Sequence, residues 1–566
     1  MRRRVVPLLG LLLASLPHAI AADKPAPAAL CKSPALAAGA PATVAGWAKG
    51  AQIFDGLGSF HRKATTASAE AQSYFDQGMR FLWAFNHDEA TRSFARAAEI
   101  DPTCAACFWG VALTVGPNYN LPTAAAERAQ VAWDALQAAK VQGQHASPVE
   151  RALIDALAKR YPAPAPPADE EPTLAAYAEA MTAVAQHYPD DLDVQTLAAE
   201  AAMTVNAWKL WRLDGTPAPG TEAILTRLEA VLAKDPSHPG ANHYYVHAVE
   251  ASPHPERGVA AAERLRGMMP AAGHLEHMPA HIFQRVGRYA EAAEANRKGA
   301  AADLAYFAKT TPPDYYAMYT AHNYHFEAFS AAMEGRRGET IDSVRKLRGV
   351  APDEMLAAMP GSDWTVASLY VSMVRFGLWD DILAEPEPGE GIPGMTAGYL
   401  AARIEALAAK GRIDETSAQL ARLKTLAETT DPGRQAGFNS EKEIFGIALL
   451  KAQAAVARAQ GRHDDAVRLL TEAVAREDRL AYDEPSDAFF PSRHLLGRAL
   501  LESGRAAEAE TAYREDLRRN PANGWALYGL AQALDAQGRK DDAAAVRSEF
   551  SVAWKNADVT LTASAF

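Results

Sequence analysis

Apolar and small residues recur along this chain at helical spacing, and no long stretch alternates apolar with polar residues as a strand would. The segment AQSYFDQGMRFLWAFNHDEATRSFARAAEIDP, residues 71–102, shows the pattern best. Tyr74, Gly78 and Phe81 mark a first helix, Ala90, Phe94 and Ala97 a second, and Pro102 closes the unit. Small residues let two antiparallel helices approach, large ones fill the gap between them, and proline cannot continue a helix. Ser68 stands where the first helix needs an N-cap.

The unit returns later. In residues 490–521, Gly497, Gly504, Ala509, Tyr513 and Pro521 fall at matching offsets, and 524–550 carry Gly538 in the turn with Ala543 after it. Partial units surround Gly287, Gly335, Gly377, Gly411 and Gly461, while Asp235-Pro236, Asp431-Pro432 and Asn520-Pro521 punctuate helix ends. The prediction is an all-α fold, a superhelical array of helical hairpins (an α-solenoid) over most of residues 67–555. It divides into an N-terminal array at 67–345, middle helical repeats at 346–437 and C-terminal repeats at 438–566. YPAPAPPADEEP (161–172) and EPEPGEGIPG (385–394) read as loops, and the Ala/Pro-rich segment 22–66 as extended or loosely packed.

These hairpin units resemble the tetratricopeptide repeat (TPR) of about 34 residues. FNHDEATRSF, HPGANHYYVHAVEAS and AGHLEHMPAHIF together resemble a group of large exported bacterial TPR proteins that share such His-rich segments. The resemblance implies the architecture and brings no reaction with it.

Composition sharpens the picture in two places. The chain has 566 residues, is 49% hydrophobic and carries a formal charge of -12, so it has no global attraction to nucleic acid or to anionic membranes. Arg2 to Arg4, the apolar run Val5–Leu16 and Ala19-Ile20-Ala21 read as a signal peptide over residues 1–21, which places the mature protein in a bacterial periplasm or outside the cell. That run is too short for a membrane anchor, and nothing later reaches spanning length. There are three cysteines, so no disulfide framework holds the fold. Cys104-Ala-Ala-Cys107 admits a redox, half-metal-site or local disulfide reading; it lacks a preceding strand and a following histidine, which favours a structural pair.

The candidate chemistry lies in histidine. Nine of sixteen fall between residues 238 and 325. His274, His277 and His281 lie 13, 10 and 6 residues before Gly287, and His322 and His325 lie 13 and 10 before Gly335. His243 and His247 occupy the same phase, with Glu250 one turn further on the same face. In a TPR array those offsets face the concave groove, so three successive first helices would aim seven imidazoles and one carboxylate at a common volume. An imidazole-rich set without thiolate suits zinc, copper, iron or nickel and argues against calcium or magnesium. The predicted metal ligands are therefore His243, His247, Glu250, His274, His277, His281, His322 and His325. Their number calls for two ions, or for some of the histidines to orient others or carry protons. His494 and Glu200 are outlying candidates, and Pro279 should distort its helix.

A groove-facing histidine taken alone contacts a peptide or water, so the set carries the metal reading, not any one member. The leading function is an exported TPR scaffold with a transition-metal centre (Cu, Zn or Fe), acting as a hydrolytic or oxidative metalloenzyme on a small molecule or as a metal-dependent binding protein. In an enzyme, Glu250 or Glu276 would be candidate general bases. A second reading is a non-catalytic scaffold that clamps a peptide or protein in the groove, and a third is metal storage or delivery. No Walker loop, dinucleotide fingerprint, serine-hydrolase elbow or HExxH motif is present.

Overall fold

The computed structural model describes residues 40–123, 126–310 and 314–566. The signal peptide at 1–21, the segment 22–39 and Cys31 lie outside the described residues. Among the described residues the structure is an all-α array, and the one strand pair is Gln435–Ala436 against Asn439–Ser440. Successive helices pair as antiparallel hairpins, from Ala69–Trp83 with His87–Ile100 to Gly524–Ala536 with Lys540–Ala553.

Local chemistry explains the elements. Ser68 caps the first repeat helix by accepting from the Ala71 N–H. The turn glycines Gly287, Gly335, Gly377, Gly411, Gly461, Gly504 and Gly538 all adopt left-handed φ values between 63° and 78°, where a side chain would be strained. Asp235 and Asn520 sit as C-caps immediately before their prolines.

Packing repeats as well. Phe94, on a second helix, is clasped between Gly78 and Gly110 on the neighbouring first helices; a Cβ there would lie 2.6 Å and 2.4 Å from its ring atoms. Tyr513 sits in the same way between Gly497 and Gly529, with 2.3 Å and 2.2 Å. The glycines of the repeat thus make room for one large ring per interface, and the ring replaces the volume they give up.

Two departures from expectation matter for the site. Residues 40–66 are not loosely packed. They include a helix, Val44–Ala48, and bury Trp47, Phe54, Leu57 and Ala64. Arg62 spans Asp191 and Asp193 at 2.8 Å and 2.6 Å, tying this segment to a helix start far along the chain. The array also closes on itself. Trp525 Nε1 donates to the Ala332 carbonyl (2.7 Å), and the Asp558 carboxylate accepts from the Arg337 and Gly338 amides (2.6 Å and 2.8 Å). The Pro521 carbonyl abuts Gly287. The C-terminal repeats therefore lie against the helices that carry the histidines.

Cys104 and Cys107 form a disulfide at the start of helix Ala105–Thr114, and both are fully buried.

Candidate metal centre

Three consecutive first helices supply the cluster. Helix Pro239–Val249 is capped by His238, whose Nδ1 accepts from the Ala241 N–H, and carries His243 and His247 with Glu250 at its C-cap. The next begins as Gly273–His277, is interrupted at Met278 and resumes as Pro279–Arg285, carrying His274, His277 and His281. The interruption falls where the proline was expected to act. Pro279 has no N–H for the Leu275 carbonyl, and the His281 amide bonds to the Met278 carbonyl, three residues back, at 3.2 Å. The third, Asp314–Met333, carries His322 and His325.

Three groups of ligand atoms converge to within 4.8 Å: His243 with His247 and His274, His277 with His281 and His322, and His247 with Glu250 and His281. His243 Nε2 lies 3.2 Å from His274 Nε2, and His281 Nε2 lies 2.5 Å from His277 Nε2.

The surrounding contacts fix which nitrogen faces inward. His243 Nδ1 is 2.6 Å from the Trp83 carbonyl, which can only accept, so Nδ1 carries the hydrogen and Nε2 the lone pair. Asn296 Nδ2 donates to the Ala292 carbonyl (2.9 Å), which turns its Oδ1 toward His277 Nδ1 at 2.6 Å; Nε2 of His277 is again the lone pair. His247 Nδ1 donates to Glu250 Oε1 (3.1 Å), leaving a buried Nε2 with no hydrogen-bond partner. His281 Nδ1 stands 2.8 Å from both Glu250 Oε2 and Glu484 Oε1. These two contacts are close but off-line, so none of the three atoms has a partner of good hydrogen-bond geometry. Lone pairs of His277 and His281 cannot face each other at 2.5 Å without a proton or another cation between them.

Electrostatics follow from enclosure. Burial holds His243, His247, His274 and His277 well below the ordinary imidazole range, and the neighbouring imidazoles add to the effect. His322 is pushed down to about 3 by burial and by His281. Burial also disfavours the His281 cation, but Glu484 and Glu250 overcome it and raise that ring to about 10.

The expected open groove is absent here. His243, His247, Glu250, His274, His277 and His281 are each 4% exposed or less. Rings wall the cluster: Phe85 is 4.6 Å from His243, Tyr119 and Trp208 are 5.2 Å and 5.6 Å from His247, and Tyr319 stacks on His274 at 4.7 Å. The loop between Glu477 and Ser492 closes the remaining side with Glu484, and with Phe489 stacked on His325 at 4.7 Å. The self-contact of the array brings this loop in; an isolated run of repeats would leave the groove open. Among the described residues four non-glycine residues have positive φ, and three are rings of this wall: Phe85 (52°), Trp208 (61°) and Phe489 (57°). Phe85 occupies the turn position that later repeats give to glycine. Such backbone strain, of order 1–3 kcal/mol each, collects at functional sites.

Not every predicted residue joins the cluster. Glu276 turns away: its carboxyl accepts from the Gly267 backbone and is flanked by Lys298 and Arg266, which removes it as a general base for this centre. His325 is engaged by the Phe489 ring and belongs to none of the three groups. Glu250 has one oxygen on His247 and the other on His281, an orienting position. Glu200 is held by the Tyr119 amide and the Thr204 hydroxyl instead. His494 lies in a separate buried network with Asp516 (2.7 Å) and Arg375 (2.9 Å). Sequence reasoning missed Glu484, Asn296 and Phe85. Of these only Phe85 left a signal, an aromatic residue where the repeat calls for glycine.

Residues 500–546 match the family model of the tetratricopeptide repeat. No curated protein matches the sequence. Among solved structures, a human IFIT1 dimer with m7Gppp-AAAA is 11% identical, covering 79% of this chain and 89% of that one at a TM-score of 0.32. Yeast Tom70 is 12% identical over 85% of this chain and 91% of that one, with a TM-score of 0.29. The Cut9 complex with Hcn1 is 13% identical over 89% and 77%, also with 0.29. At these scores the likenesses carry no functional argument.

Proposed function

We propose that this tetratricopeptide-repeat protein is an exported scaffold built around a buried transition-metal centre. One observation carries the reading: the Nε2 lone pairs of His243, His247 and His277 are aimed inward because the Trp83 carbonyl, Glu250 and Asn296 hold the opposite nitrogens. Metal-bound histidines are oriented in this way, through the nitrogen that does not bind. Imidazole with carboxylate and no thiolate suits zinc, copper or iron, and such an ion would supply Lewis-acid or redox chemistry. The chain's own share is to fix the rings, exclude water and hold the negative charge of Glu250 and Glu484 beside them.

Export rests on the N-terminal sequence pattern and is supported by the Cys104–Cys107 disulfide, a bond that persists in oxidising compartments. Among the described residues no helix is long and apolar enough to cross a membrane.

Elemental analysis of protein purified without chelator tests the centre. Near-stoichiometric zinc, copper or iron is expected, lost in the double variant His247→Ala/His277→Ala. A protein that stays metal-free after reconstitution with all three overturns the reading.

A non-catalytic binding role has one observation in its favour. Residues 562–566 lie along the C-terminal repeats as a non-helical, bent segment. The Thr562 carbonyl accepts from Gln532, the Ser564 hydroxyl donates to the His494 carbonyl, the Ala565 carbonyl accepts from Arg498, and Phe566 packs 6.0 Å from Trp525. These repeats thus hold a peptide supplied by the chain itself. Deleting residues 561–566 should let a labelled peptide of that sequence bind in trans, and no binding would remove this reading.

A further inference from the structure

The cluster contains more ligands than one ion can use, and they fall into two sets. We infer that it holds two first-row transition ions side by side, one on His243, His247 and His274 and the other on His277, His281 and His322, with Glu250 as the positioning residue they share. This rests on the metal reading above and adds the number of ions and the division of the ligands.

Three features support the division. Each set consists of three imidazoles whose ligand atoms lie within 4.8 Å of one another, near enough that small ring rotations bring them onto one ion with metal–nitrogen bonds of about 2.0–2.1 Å. Each set draws on two adjacent helices. His243 and His247 come from the first and His274 from the second; His277 and His281 come from the second and His322 from the third. Helix 273–285 therefore contributes to both, and its interruption at Met278 falls inside the second set, between His277 and His281.

The third feature is Glu250. A carboxylate that bound one ion directly would leave its neighbouring rings to find other partners. Here one oxygen accepts from His247 Nδ1 at 3.1 Å and the other stands 2.8 Å from His281 Nδ1, so a single carboxylate lies against one ring in each set. Glu484 repeats the arrangement on the second set alone, 2.8 Å from His281 Nδ1, and Asn296 holds His277 there. The ring centroids of His247 and His281 are 5.6 Å apart and those of His274 and His277 5.8 Å, so the two sets are direct neighbours. Two dications that close would repel, and the buried negative charges of Glu250 and Glu484 offset part of that repulsion. The alternative of one ion on His247, Glu250 and His281 uses the same carboxylate as a ligand.

The experiment is titration of metal-stripped full-length protein with Zn(II) and, separately, with Cu(II), followed by metal analysis and electron paramagnetic resonance. Two equivalents per chain are expected, with a Cu(II) signal broadened by coupling between neighbouring ions. His274→Ala and His322→Ala should each retain one equivalent and give a sharp, uncoupled signal; His274→Gln and His322→Gln serve if the alanine variants do not fold. Glu250→Gln should keep two equivalents with affinity weakened about 10–100-fold. One equivalent in the wild type, loss of all metal in either single histidine variant, or loss of all metal in Glu250→Gln would overturn the two-ion division and leave a single-ion centre standing. No bound metal in the wild type would overturn the metal reading itself.

Discussion

The side-chain oxygen of Asn296 lies 2.6 Å from Nδ1 of His277, and the Asn296 amide nitrogen is committed to the Ala292 carbonyl. The pair crosses from the second helix of a hairpin to its first, and it decides which nitrogen His277 offers to the interior. Asn296→Ala is expected to weaken metal binding about 10–100-fold in competition with a chelator while some binding remains. Asn296→Asp keeps an acceptor at the same place and should recover most of the loss. Equal affinities in all three proteins would remove Asn296 from the centre.

Phe85 combines a strained backbone with a packed ring. Phe85→Ala should cost about 3–5 kcal/mol in denaturant unfolding, since the ring is 1% exposed and its loss leaves a cavity beside His243. Phe85→Gly creates the same cavity and relieves the left-handed φ of 52°. The glycine variant should therefore be more stable than the alanine variant by about 1 kcal/mol, the reverse of the order in a helix.

Gly110 tests the packing rule of the array. A Cβ at this position would lie 2.4 Å from the Phe94 ring, so Gly110→Ala should destabilise by about 1–3 kcal/mol. Gly143→Ala, where no atom lies within 4 Å of the added carbon, is the control and should change the urea midpoint little.

Glu441 gives a pH dependence remote from the histidines. Burial, only partly offset by Arg434, raises its carboxyl from the ordinary 4.5 to about 6. The folded state thus binds this proton more tightly than the unfolded chain. Its contribution to stability is fully present below pH 4.5 and is lost as pH rises through 6. Thermal unfolding of Glu441→Gln should lack that decline, so the difference in Tm between variant and wild type should grow across this window. A constant difference would contradict the assignment.

The Cys104–Cys107 bond closes a very short loop. Cys104→Ala/Cys107→Ala should lose about 2 kcal/mol or less by loop-closure entropy, far less than a long-range bridge of the same kind. Reduction under native conditions should leave the helical circular dichroism intact.

What the sequence made legible was local. Gly287, Gly335 and their counterparts fixed the repeat phase, and the phase placed His243, His247, His274, His277, His281 and His322 in one volume. Pro279 announced the break at Met278 for the same reason, since the clash acts within one turn. Contacts between distant segments left no such trace. Glu484 comes from a loop some two hundred residues beyond His281, and the closure that delivers it depends on contacts such as Trp525 with the Ala332 carbonyl. Periodicity could not distinguish an open groove from a sealed interior, because the two differ only in what lies across from the helices. Glu276 was misplaced by proximity: one residue from His277 in sequence, it is a hundred degrees away around the helix.

The seal has a kinetic corollary. An ion on His243, His247 and His274, rings 4% exposed or less, would not leave by breaking its bonds alone, because little solvent reaches them to take its place. Departure waits for the closing loop or a neighbouring helix to swing aside, an event governed by the protein's breathing and indifferent to whatever is outside. Added chelator would then strip the protein at a rate that stops rising with chelator concentration, and a centre of only moderate affinity would behave, on the timescale of a purification, as a permanent fixture.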